Sequence, residues 1–129
     1  MNQQRTCILI CDSDAETLIS LEQLLEDAGF DTTTTWDASG VTRLLQAERF
    51  GLVLIGNHPP QMDAEIILRD PQVSGIPCLV LDSDLSNCNL DRLHSLGAIA
   101  VVPRRSHAFI LKQIHECLDA LERNFRKSG

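Results

Sequence analysis

Carboxylates, a histidine and an arginine follow directly on the short apolar runs of this 129-residue chain: Asp12, Ser13 and Asp14 after the first run, Gly56, Asn57 and His58 after the third, Asp82 and Ser83 after the fourth, and Pro103 and Arg104 after the fifth. Carboxylates gathered around one cation suit a hard metal ion or an internal ion pair. Asp12, Asp14, Asp63 and Asp84 are therefore candidate cation ligands, although helix capping accounts equally well for Asp14 and Asp63. His58 has the chemistry of a phosphate carrier or metal ligand, while its His-Pro-Pro setting reads as a plain turn. Cys11, beside Asp12, is a nucleophile by type, but no His or basic residue is placed to activate it, and it reads as a core residue. His94, His107 and His115 are scattered over expected helices with no common site and read as solvated.

The elements that must position these groups alternate between short apolar runs and helical patterns, which is the mark of βαβ units around a parallel sheet. Cys7 to Cys11 is apolar without alternation, as in a strand covered on both faces. Ser13 followed three residues later by Glu16 makes a capping box, and Leu18, Leu21, Leu25 and Ala28 recur at helical spacing before Gly29. Phe30 to Trp36, with its run of threonines, suits a strand with a polar face or an edge position. Val41, Leu44, Leu45 and Phe50 suggest a second helix, and Leu52 to Ile55 a buried third strand that breaks at Gly56 before two prolines. A short third helix is expected over Asp63 to Arg69, a fourth strand over Pro77 to Leu81, a fourth helix around Leu90, Leu93 and Leu96, and a fifth strand over Ala98 to Val102. A long amphipathic helix from Ser106 to Phe125 carries Leu111, Ile114, Leu118, Leu121 and Phe125. The order is (βα)₅, a doubly wound α/β fold in which ligands bind outside the carboxyl ends of the strands, where strand order reverses. Residues 1–125 form one domain and 126–129 a polar tail.

Apolar residues make up 43% of the chain and charged residues 22%, with a net charge of −7, as expected of a folded soluble protein. The acidic balance repels phosphate backbones and argues against nucleic-acid binding. Cys7, Cys11, Cys78, Cys88 and Cys117 are odd in number and lack zinc-ligand spacing, so reduced thiols are expected, with Cys7, Cys11 and Cys78 as small core residues. No secretory leader and no membrane-spanning run is legible, and a cytoplasmic location is the expectation.

The strand-end residues also carry a resemblance. The stretches CILICDSD (Cys7 to Asp14), GLVLIGNHPPQMDA (Gly51 to Ala64), IPCLVLDS (Ile76 to Ser83) and LGAIAVVPRR (Leu96 to Arg105) occur in the order and at the separations found in the receiver domains of bacterial response regulators, and the chain resembles that family over nearly its whole length. The resemblance implies a flavodoxin-like five-stranded parallel sheet in the order 2-1-3-4-5. It also implies a strand-end aspartate that attacks a phosphodonor while Mg²⁺, held by that aspartate, one of an acidic pair and a backbone carbonyl, screens the oxygens.

Residue by residue, the chemistry of the resembled family departs. Gly56 stands at the acceptor position and has no side chain to attack or to ligate. Ser13 replaces one member of the acidic pair and leaves Asp12, so Mg²⁺ binding is expected to be weak or absent, with Asp12 and the His58 backbone the remaining ligand candidates. Asp82 lies where the family has a phosphate-binding hydroxyl, Arg104 where it has a lysine, and Arg105 where it has a proline. Two readings of Asp82 and Arg104 stand side by side: an ion pair across the pocket that supplies permanently a contact phosphorylation would create, or two residues solvated at the sheet edge.

The expected function is an atypical receiver domain of a two-component or phosphorelay system. It would act through protein contacts, without aspartyl phosphorylation at the usual site, without enzymatic activity and without a cofactor. A histidine kinase or an output protein is the expected partner. The terminal-helix stripe either packs on the sheet or forms a homodimer seam. Two alternatives remain: a small flavodoxin-like enzyme or cofactor-binding protein using the strand-end cleft, and a phosphorelay domain with Asp12 or Asp82 as substitute acceptor.

Overall fold

Five strands and five helices alternate along the chain in a computed structural model that describes residues 5–87 and 89–128. The strands are β1 (Cys7–Cys11), β2 (Asp31–Thr35), β3 (Leu52–Asn57), β4 (Cys78–Asp82) and β5 (Ala98–Pro103). The helices are α1 (Ala15–Asp27), α2 (Ala38–Ala47), α3 (Ala64–Leu68), α4 (Leu90–Ser95) and α5 (His107–Ser128), with single 3₁₀ turns at Pro71–Val73 and Leu85–Asn87. All strand pairings are parallel, in the order β2-β1-β3-β4-β5. The (βα)₅ order is the one expected from the alternation of patterns, and the flavodoxin-like strand order is the one the resemblance implies.

The central strands are apolar throughout because both faces are covered. Leu9, Cys11, Val53, Ile55 and Val80 pack with Val41, Met62, Ile67 and Leu93 on one face. On the other, Ile8, Ile10, Leu54, Leu79 and Leu81 pack with Leu18, Leu21 and Leu25 of α1 and Ile110, Ile114 and Cys117 of α5.

β2 is the edge strand that its threonines suggested. Thr32 donates from its hydroxyl to Glu26 at 2.7 Å, and Thr33 donates to Glu48 at 3.4 Å. The strand runs from Asp31 to Thr35, so Phe30 and Trp36 lie outside it, Phe30 buried and Trp36 exposed.

Several boundaries differ from the sequence reading, each for a local reason. β3 is two residues longer, because Gly56 and Asn57 pair with Leu81 and Asp82 of β4 and the prolines begin only at Pro59. Asp14, not Ser13, caps α1, its carboxylate accepting from the Thr17 amide at 3.1 Å, so the Ser13–Glu16 capping box does not form at the expected residue. Asp37 caps α2, which ends at Ala47, and Phe50 is buried beyond it. The buried line of α5 is Ile110, Ile114 and Cys117, while Leu111 and Leu118 only flank the core; the Phe125 side chain is outside the described residues. The helix continues to Ser128, three residues past the end expected at Phe125. Gly29 ends α1 and Gly97 ends α4 at φ of 98° and 116°, the left-handed region that glycine adopts without strain. Cys11 and Cys78 are buried as expected, Cys7 is half-buried, Cys117 is also core, and Cys88 lies outside the described residues.

Candidate functional site

Asp12 begins immediately past β1, where its amide donates to the Thr35 carbonyl at 3.2 Å and its side chain turns over the sheet end with only 2% of the residue exposed. One carboxylate oxygen, Oδ1, accepts from the Asp14 amide at 2.9 Å, shaping the turn into α1. The other, Oδ2, accepts from Nη2 of Arg104 at 2.9 Å. This pair lies over Gly56. A Cβ placed on Gly56 would sit 2.1 Å from Asp12 Oδ2 and 2.6 Å from Arg104 Nη2. Real Cβ contacts are far longer, so the ion pair occupies the volume that any side chain at residue 56 would need.

A second set of bonds lies on the β4 side. Asn57, last in β3, donates from Nδ2 to Asp82 Oδ2 at 2.8 Å and accepts at Oδ1 from the Ala64 amide at 2.9 Å, which ties the start of α3 to the sheet. Asp82 Oδ1 accepts from the Asp84 amide at 2.9 Å. The Arg104 amide donates to the Asp82 carbonyl at 3.1 Å. Asp82 and Arg104 are thus neighbours through the main chain, but of the two readings of this couple the ion pair between their side chains is not formed, and neither is simply solvated: Arg104 pairs with Asp12 and Asp82 is buried. The guanidinium goes to Asp12 because a bare Gly56 leaves the path open, and the Asp82 carboxylate is satisfied by an amide side chain and a backbone N–H. Among the described residues no buried side-chain nitrogen or oxygen lacks a partner.

Two clefts flank the end of β3. One, of about 460 Å³, is lined by Asp12, Ser13, Asp14, Thr17, His58, Gln61 and Arg104. The other, of about 500 Å³, is lined by Asn57, Asp63, Glu65, Asp82, Asp84 and Asn89 with apolar Pro59 and Leu93. His58 is exposed, and its backbone closes a small loop, the amide donating to the Met62 carbonyl at 2.8 Å and the carbonyl accepting from the Met62 amide at 3.0 Å. Asp63 caps α3 through the Glu65 amide at 2.9 Å. Glu65 in turn holds Arg92 and, at 3.5 Å, Arg69. Asp14 is exposed and held below the ordinary aspartate range, chiefly by the Thr17 hydroxyl and then by the Thr17 amide. The carboxylates at the strand ends are therefore engaged in caps, turns and ion pairs, and among the described residues no three His, Cys, Asp or Glu side chains converge to hold a metal ion. This overturns a collective cation site of Asp12, Asp14, Asp63 and Asp84. Nor do the residues present fit the Mg²⁺ that the resemblance implies: Asp12 is committed to Arg104, and Gly56 and Ser13 offer no carboxylate.

Cys11 is fully buried, and burial pushes its thiol up, so it stays protonated and cannot serve as a nucleophile at neutral pH. His94, His107 and His115 are all exposed. Arg105 stacks its guanidinium 5.3 Å above the Phe109 ring, giving the β5–α5 turn a restraint where the resembled family has a proline. Asn57 is the site residue that the sequence pattern does not single out. The pattern puts it in a loop, and its role as the bridge from β3 to both β4 and α3 depends on the two further residues by which the strand is extended.

A five-stranded parallel sheet in this order, with Asp12 past β1, Asp82 at the end of β4 and Arg104 past β5, is a flavodoxin-like fold, and it matches the fold of response regulator receiver domains. The chain is similar to a CheY-like response regulator receiver domain protein of Methanospirillum hungatei JF-1, at 25% identity over 94% of this chain and 99% of that one, with a TM-score of 0.85. It is also similar to the chemotaxis response regulator CheY4 of Vibrio cholerae, at 19% identity, 88% and 99% coverage and a TM-score of 0.79. The receiver domain of the Francisella response regulator 1452 gives 18% identity, 91% and 99% coverage and a TM-score of 0.80. No protein-family model matches the sequence, and no curated protein does. Among the described residues no helix is long and apolar enough to cross a membrane.

Proposed function

We propose that this chain is an atypical receiver domain that takes part in two-component or phosphorelay signalling through protein contacts and without phosphorylation of an aspartate, at residue 56 or at a substitute. The observation that carries this reading is the Asp12–Arg104 pair seated over Gly56. A phosphoacceptor needs a nucleophilic oxygen on β3, a cation to screen the transferred group and room for it. Here β3 supplies no side chain at that position, the nearest carboxylate is neutralised by Arg104, and the place a side chain on residue 56 would take is occupied by that pair. Asp82, where the resembled family carries a hydroxyl, adds negative charge that opposes an incoming phosphate. The domain works without Mg²⁺ and without catalysis of its own, and its partner is a histidine kinase or an output protein.

Incubation with acetyl phosphate and Mg²⁺ followed by intact mass measurement tests the reading. No phosphoryl adduct is expected. An adduct that disappears in Asp12→Asn or in Asp82→Asn would instead establish a substitute acceptor and overturn it.

A further inference from the structure

We propose that the Asp12–Arg104 pair is a latch: it closes only because residue 56 has no side chain, and once closed it fixes the start of α5 relative to β1 and β4 with no ligand bound. The inference rests on the reading that residue 56 is not a phosphoacceptor, and it adds what the rebuilt site controls.

Arg104 grips in two directions. Its main-chain N–H holds the Asp82 carbonyl, which fixes the end of β5 to the end of β4, and its guanidinium reaches Asp12 past β1. The Asp12 side chain is 3% exposed and that of Arg104 26%. Opening the pair would leave a buried carboxylate with the Asp14 amide as its remaining partner, so the closed arrangement is strongly favoured. The residues after Arg104 are restrained as well. The Ser106 hydroxyl accepts from the Phe109 amide at 3.3 Å, and Arg105 lies on the Phe109 ring. On the other side, Asp82 anchors both Asn57 and the Asp84 amide. The residue whose side chain holds Asp12 thus holds Asp82 through its main chain, and we infer that displacing that side chain shifts the β5–α5 turn and, through the Arg104 N–H on the Asp82 carbonyl, the β4–α4 turn. A methyl group on residue 56 would overlap both partners, so the carboxylate and guanidinium ends must shift to admit it.

The test is two-dimensional NMR of the intact chain as wild type, Gly56→Ala and Arg104→Met. In the wild type the Arg104 guanidinium should give resolved, restrained Nη signals, unlike the averaged signals of exposed Arg43 and Arg49. Both variants should move the same remote amides, those of Phe109 and Asp84, while α2 and β2 stay in place. Arg104→Met keeps the aliphatic stem and serves as the second route should Gly56→Ala fold poorly. A freely averaging Arg104 guanidinium in the wild type overturns the latch, and so do changes confined to the immediate neighbours of each substitution. The same samples treated with acetyl phosphate and Mg²⁺ report separately on the functional reading: an adduct on the wild type defeats that reading, whereas the NMR outcome alone defeats the latch.

Discussion

Asp12 Oδ2 and Arg104 Nη2 meet at 2.9 Å across 92 residues of sequence, over a glycine whose missing side chain makes the meeting possible. The energetics of this ion pair are set by its burial. A cation removed from a buried carboxylate leaves an uncompensated charge, which costs about 3 kcal/mol, reduced here because Arg104 is partly exposed. Arg104→Met is expected to lower unfolding free energy by about 2 kcal/mol in urea denaturation, with Asp12→Asn similar and the double variant well short of the sum. Full additivity would show that the two side chains do not interact.

Gly56→Ala should have a sign opposite to the usual one. Replacing glycine by alanine inside a strand ordinarily stabilises by about 0.5–1 kcal/mol. Here the added methyl meets Asp12 and Arg104, and overpacking is expected to destabilise by about 1–3 kcal/mol, read from the shift in thermal midpoint.

Asn57→Ala removes one bond to Asp82 and one to the Ala64 amide. A loss of about 2 kcal/mol is expected, since a buried acceptor and a helix N-terminal amide both lose partners. Faster hydrogen exchange at Ala64 would locate the damage at the start of α3.

The acid side of the stability profile should depend on Asp14. Its folded-state pKa lies below the ordinary value of 3.8, so its contribution is present above that value and is lost as pH falls through the lower folded value. Thr17→Ala removes the principal cause. The variant's acid denaturation should accordingly show a shallower loss of stability below pH 3.8 than the wild type.

On the alkaline side the buried thiols reverse that sign. Burial raises Cys11 and pushes Cys78 up to about 12 from an ordinary value of 9.0. Their contributions are whole below 9.0 and diminish as pH rises above it, because the unfolded chain then ionises first. Native-state alkylation mapped by peptide mass should label Cys7 well before Cys11 or Cys78, with all three reacting in denaturant.

The architecture is legible in the sequence because buried parallel strands and amphipathic helices each impose their own periodicity. The central apolar runs, Gly29 and Gly97, and the threonine-rich edge all lie where that patterning puts them. The partners within the site are less accessible. Charge and position make Asp82 and Arg104 an equally reasonable couple, since both stand at strand ends with opposite sign. Choosing Asp12 requires the depth at which its side chain turns inward and the length of β3, and neither has a periodic signature. Asn57 is hidden for the same reason: its importance comes from register against Asp82, which a single sequence does not encode locally. The one-residue displacement of the α1 cap has a nearer cause, the turn that Asp12 makes with the Asp14 amide.

An open sheet margin invites another chain to continue it, and β2 is such a margin, built of residues that favour extended structure. The hydroxyls of Thr32 and Thr33 point to opposite faces, and each holds a glutamate, Glu26 or Glu48. Negative charge is thereby fastened along both sides of the exposed rim, so that two molecules approaching edge to edge would bring like charges together.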